Sequence, residues 1–182
     1  MHESIIIGCK QGIPAMQRRL FEMFAPVMMT VCRRYTADSA AAEDVLQEAF
    51  IKVFRSFDRF DPSRGVIEAW IRRIVVNTAV QHWRHQQRHN TWLTDTPVPD
   101  VPEAEDPPEM LFTEEELLSL INQLPPGFKM VFNLCVLEGF SHAEVAKELG
   151  ITESTSRSQL ARARKLLQAA VNAFKLEANE RF

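Results

Sequence analysis

The chain has 182 residues, enough for one domain or two small ones, and 46% of them are hydrophobic, which is ordinary for a protein with a packed core. Six glycines and little β-branched alternation exclude an all-β architecture, and three cysteines at positions 9, 32 and 135, without CxxC or metal-ligand spacing, exclude a disulfide scaffold and a zinc module. The net charge of −3 is an average of unlike parts: residues 89–116 hold nine acids (Asp95, Asp100, Glu103, Glu105, Asp106, Glu109, Glu114, Glu115 and Glu116) and no Lys or Arg, while the rest sets 21 cations against 15 acids, a net of +6.

The body is therefore basic, and its cysteines read as small buried hydrophobes in a reducing compartment. The N-terminus lacks the basic start and apolar run of a signal peptide, and no stretch approaches the roughly 20 apolar residues of a membrane helix. A soluble, cytoplasmic protein is expected.

In chain order, residues 16–34 repeat apolar side chains at helical spacing (Leu20, Phe24, Val27, Met28, Val31), with Pro26 as a point of bending. Asp38 or Ser39 can cap a second helix running to about Phe57, with Ala42, Val45, Leu46, Ala49, Val53, Phe54 and Phe57 inward. Beside that face runs a second stripe, Asp44, Gln47, Glu48, Ile51 and Arg55, at steps of three and four; taken alone it reads as solvated surface. Asp61-Pro62-Ser63-Arg64-Gly65 is a turn-forming loop.

A third helix is predicted from about Ile67 to Gln87, with Trp70, Ile71, Ile74, Val75 and Thr78 inward. It and the residues just after it carry Arg72, Arg73, Arg84 and Arg88 with His82, His85 and His89, and no acid follows Glu68. Arginines bind phosphate and an aromatic ring can stack on an unpaired base; of the two tryptophans, Trp70 reads as core and Trp83 as the more open. The histidines have no carboxylate or thiol beside them, so no metal is expected.

From about 90 to 112, Pro97, Pro99, Pro102, Pro107 and Pro108 stand among acids, which predicts a flexible extended linker whose charge suits a basic groove emptied of DNA. Three or four helices come next, from about Thr113 to Leu176. Within them, Ser141 and Glu144 fit a capping box, Val145, Ala146, Leu149 and Ile151 form a buried stripe, Gly150 makes a tight turn and Thr152 can cap the helix after it. Arg157, Arg162, Arg164 and Lys165 then come with Glu153 as the one nearby acid, the layout of a helix-turn-helix whose second helix enters the DNA major groove. No GxGxxG, P-loop, HExxH or GxSxG occurs, so no catalytic constellation and no cofactor are expected.

Two stretches, residues 41–79 (AAEDVLQEAFIKVFRSFDRFDPSRGVIEAWIRRIVVNTA) and 124–167, in this order and separated by an acidic proline-rich segment, resemble the extracytoplasmic-function sigma factors of bacterial RNA polymerase. The resemblance implies an all-α chain of two small helical domains: residues 1–90 for core binding and the minus-ten element, a linker over 91–112, and a helix-turn-helix domain over 113–182 for the minus-thirty-five element. It implies that Asp44, Gln47, Glu48 and Ile51 dock on the clamp helices of the largest polymerase subunit, and that the flap is a further contact. Phe60, Asp61, Ser63 and Arg64 belong by resemblance to a loop that captures a flipped base, with Arg72, Arg73, Asn77 and Arg84 gripping strand and backbone. In the recognition helix the matching positions are Ser154, Thr155, Ser156, Arg157, Ser158, Gln159, Arg162, Arg164 and Lys165. Of these, Arg157, Ser158, Gln159 and Arg162 would face base edges or groove, and Arg164 and Lys165 phosphate. Ser156 departs from the family, which has an apolar residue there, and the resemblance implies an anti-sigma factor as regulator. The competing reading is a stand-alone helix-turn-helix regulator that binds DNA as a dimer and never meets polymerase.

Overall fold

The structure, a computed structural model, describes residues 2–87 and 112–179. The linker expected over 91–112 lies outside these except for Phe112, as do Arg88, His89 and the idea that the linker's acids cover a basic groove. All regular elements among the described residues are helical, and the chain divides into two compact units, residues 1–86 and 87–182.

The first unit comprises α1 (His2–Lys10), α2 (Pro14–Tyr35), α3 (Ser39–Arg55), two 3-10 turns (Phe57–Arg59 and Pro62–Arg64) and α4 (Ile67–Gln87). Helix α1 was not anticipated; it is short, but Ile5 and Cys9 are buried, and a Cβ at Gly8 would collide with Met16 of α2. Helix α2 opens on Pro14, whose missing N–H costs nothing in a first turn, and buries Leu20, Phe24, Met28, Val31, Cys32 and Tyr35. Val27, expected inward, is 48% exposed: it falls at the margin of that face, which its neighbours already fill.

Helix α3 is capped by Asp38, whose Oδ1 accepts from the Ala41 N–H at 2.8 Å. It buries Ala42, Val45, Leu46, Ala49, Phe50 and Val53, while Phe57 is buried from the following 3-10 turn, not from the helix. Each large side chain fully buried this way contributes about 1.5–3 kcal/mol, enough to set which side of α3 faces inward. Helix α4 supplies Ile71, Val75, Val76, Ala79 and Val80 to the same core.

The second unit comprises α5 (Glu114–Asn122), α6 (Pro126–Phe132), a π-helical turn (Asn133–Leu137), α7 (His142–Leu149) and α8 (Glu153–Asn179). Capping boxes open α5 (Thr113 with Glu116) and α7 (Ser141 with Glu144). Leu124, Phe128 and Ala163 pack together with Phe132, Leu166 and Leu167, which holds α8 against α6.

Candidate nucleic-acid interface

Because α3 spends its apolar residues on the core, Asp44, Gln47, Glu48, Ile51 and Arg55 are all left on the solvent side. Ile51 is 50% exposed, an apolar side chain set in an otherwise polar stripe.

After α3 the chain folds over the start of α4. Phe57 and Phe60 both pack on Trp70, with ring centroids 5.6 and 5.3 Å away, and the loop between them and α4 closes one side of an open cavity of about 440 Å³. Arg59, Phe60, Asp61, Arg64, Gly65, Val66, Ala69, Trp70 and Arg73 line it. Gly65, at φ 150° and ψ −179°, has a backbone open essentially to glycine alone, and it turns the loop into α4. Asp61 accepts from Ser63 Oγ at 2.7 Å and from the Ser63 N–H at 3.0 Å, which holds its carboxyl below the usual carboxylate range and stiffens the rim. Arg64 lies 3.5 Å from the same carboxylate. The cavity thus offers aromatic walls beneath a rim of three arginines, a shape and charge suited to a planar base with phosphates beside it.

Two expectations change here. Phe60 is buried as a wall of the cavity and is not an exposed contact, because its ring completes the cluster with Phe57 and Trp70. The tryptophans exchange roles: Trp83 is 6% exposed and belongs to the core, whereas Trp70 is half-buried and faces the cavity. Arg59, Val66, Ala69 and Trp70 were missed as lining residues; the signal available was their adjacency to the loop on both sides. On α4, Arg73, Asn77 and Arg84 share one face, Arg73 and Arg84 exposed and Asn77 half-buried. Arg72, about 100° round the helix from Arg73, is half-buried away from it.

In the second unit, Gly150 closes α7 in the left-handed region at φ 70°. Thr152 Oγ1 accepts from the Thr155 N–H at 3.0 Å and opens α8. Ser154, Arg157, Ser158, Arg162, Arg164 and Lys165 are exposed on α8, and Arg157 pairs with Glu153 at 2.9 Å. Thr155 is half-buried, its hydroxyl 2.8 Å from that of Thr152. Ser156 and Gln159, expected at the groove, are instead internal, 0% and 5% exposed. Ser156 Oγ shares a 2.8 Å hydrogen bond with His142 Nδ1 of α7, so a polar residue occupies an inward position by bonding across the turn. Gln159 lies one helical step further along the same inward face, beside Leu160 and Ala163.

Sigma-70 region 2 matches residues 20–89 and Sigma-70, region 4, matches residues 114–167. The RNA polymerase sigma factor CarQ of Myxococcus xanthus is 30% identical over 87% of this chain and 90% of its own length. The chain belongs to the extracytoplasmic-function sigma factors. The ECF RNA polymerase sigma-E factor of Escherichia coli is 34% identical over 73% of this sigma factor and 75% of its own length. The ECF RNA polymerase sigma factor SigE of Mycolicibacterium smegmatis is 34% identical over 74% of this chain, which spans 53% of that protein. Among solved structures, RpoE of Bartonella quintana, crystallised with the anti-sigma factor NepR, shares the fold with a TM-score of 0.50 and 20% identity over 85% of this chain and 96% of that one. The cavity and the α3 stripe lie in the region 2 match, and the exposed α8 cations in the region 4 match.

Proposed function

We propose that this sigma factor docks on core RNA polymerase through Asp44, Gln47, Glu48 and Ile51, and directs it to promoters by two elements read by two separate units. The first unit takes a base flipped from the minus-ten element into the cavity walled by Phe60 and Trp70, with Asp61, Ser63 and Arg64 shaping its rim. Arg73, Asn77 and Arg84 carry the strand along α4. The second unit lays α8 in the major groove of the minus-thirty-five element, where Arg157, Ser158 and Arg162 meet base edges and Arg164 and Lys165 meet phosphate. Core would be met at the clamp helices of its largest subunit and at the flap, and an anti-sigma factor would regulate the chain by covering these surfaces. The chain acts by binding and supplies no catalytic group, and its place of work is the cytoplasm, where polymerase is.

The observation that carries this reading is the exposed stripe of α3, Ile51 among polar side chains, in the same unit as a cavity rimmed by arginines. A stand-alone regulator has need of neither. The test is co-purification of the tagged chain with core, set beside promoter binding with and without core. Stoichiometric capture of core and core-dependent promoter binding are expected. Tight, specific DNA binding by the free chain without any capture of core would establish the stand-alone regulator instead.

A further inference from the structure

We propose that Lys52 couples core docking to DNA grip: in the free protein its ammonium is held by Glu48 and α4, and when core engages Glu48 it passes to a phosphate of the melted promoter strand. The inference rests on the reading above that Glu48 meets core.

Lys52 Nζ lies 2.8 Å from Glu48 Oε1 on its own helix, 3.0 Å from Gln81 Oε1 and 3.3 Å from Thr78 Oγ1 on α4. An ammonium has three donors, and these three acceptors engage all of them. Thr78 is oriented for the purpose, since its own proton goes to the Ile74 carbonyl at 2.8 Å and leaves a lone pair toward Lys52. The side chain therefore stands at the seam of two surfaces. Glu48 belongs to the docking stripe, and Gln81 continues the α4 face of Arg73, Asn77 and Arg84 at steps of four, four and three.

The three hosts differ in kind. Gln81 and Thr78 are neutral; they orient the ammonium and leave its charge in place. Glu48 alone neutralises it. That ion pair joins two solvent-accessible side chains one helical turn apart, the class of pair that holds weakly and is screened by salt. A cation of core brought against Glu48 displaces Lys52 easily, and the released charge remains pinned at the edge of the strand-binding face by Gln81 and Thr78. A strand phosphate is the anion that this edge would then meet. Linkage makes the effect mutual: whatever fraction of DNA affinity core binding adds through Lys52, DNA returns to core binding.

The experiment measures binding of a fluorescent single-stranded oligonucleotide, carrying the melted element of a promoter mapped by run-off transcription, between 50 and 200 mM salt (~fourfold range). Reconstituted holoenzymes with wild type, Lys52→Met and Lys52→Arg are compared, alongside the free chains. Lys52→Met holoenzyme should bind about five- to tenfold more weakly, with a slope of log affinity against log salt shallower by about 0.7, and Lys52→Arg should restore the slope. In the free chains wild type and Lys52→Met should not differ, whereas Glu48→Gln, which removes the neutralising partner without core, should steepen the slope by about 0.7. Equal slopes in all holoenzymes with normal core binding would overturn the handover alone. A slope already lost in free Lys52→Met, or unchanged in free Glu48→Gln, would overturn it too. Failure of the wild type to bind core would remove the sigma reading and the handover together.

Discussion

Helices α3 and α8 carry the two faces on which the proposed function rests, and they obey different rules. On α3 every apolar position but Ala40 and Ile51 is buried or half-buried and every polar docking candidate is exposed, so residue type largely sorts the faces. On α8 that rule breaks: Ser156 and Gln159 are polar yet buried, while the outward face is defined by Ser154, Arg157, Ser158, Arg162, Arg164 and Lys165. The difference lies in partners. Helix α3 meets a buried polar group at its edge, where Lys52 reaches Thr78, whereas the short helix-turn-helix brings His142 within 2.8 Å of Ser156 and makes a serine acceptable on the inward face.

The largest effect that sharpens this contrast is on α3. Replacing Asp44, Gln47, Glu48 and Ile51 together by alanine should weaken core binding by about 100-fold or more, as expected where two of the four act as hot spots. The same variant should melt within a few degrees of wild type, because all four side chains are exposed. Parallel losses of stability and binding would mean that the stripe belongs to the core after all.

On α8 the outward and inward residues should separate cleanly. Arg157→Ala should cost about 1–3 kcal/mol at the position it reads and relax preference there, measured by selection from a randomised minus-thirty-five library with holoenzyme. Arg164→Ala with Lys165→Ala should weaken all sequences alike and make the salt slope shallower by about 1 per residue. If Arg157→Ala behaves like the second pair, Arg157 is a phosphate contact.

Lys129 offers a pH signature confined to the second unit. Burial pushes its amine down to about 8, so the folded state holds fewer protons than the unfolded one between about pH 8 and the ordinary lysine value. Stability of that unit should rise with pH across this window and be flat in this respect below it, where both states are protonated. Lys129→Met should remove this contribution to the pH dependence. Denaturant unfolding of wild type and Lys129→Met at pH 7 and 9.5 (~two points spanning the titration) checks it; a difference between the two that does not change with pH would refute the burial account.

The smallest effect is at Ser156. Ser156→Ala should cost about 1 kcal/mol of stability by removing the bond to His142, and should leave minus-thirty-five preference unchanged when measured with the same library. A shift in preference would return Ser156 to the groove.

Legibility in the sequence divides along the same line. The apolar spacing of α2, α3 and α4, the capping box at Ser141 and Glu144, and the turn at Gly150 are local signals, and the structure forms each of them. Helix α1 was not legible, because nine residues with little amphipathic pattern are held by tertiary packing, with Ile5 and Cys9 buried and Gly8 close against Met16. The cavity was half-legible: its loop stands out by composition, but the wall depends on Trp70 turning toward Phe57 and Phe60, a tertiary choice that periodicity does not make. The exchange of roles between Trp70 and Trp83 has the same origin. Lys52 shows in the sequence as an i,i+4 partner of Glu48, while its bonds to Thr78 and Gln81, 26 and 29 residues away, do not.

Run-off transcription on genomic fragments, with core reconstituted on the wild-type chain, tests the central claim most directly. The account predicts discrete start sites, each preceded by two short elements at a constant spacing, that vanish when Asp44, Gln47, Glu48 and Ile51 are replaced by alanine. Start sites that persist with that variant, or core that initiates no differently with and without the chain, would contradict it.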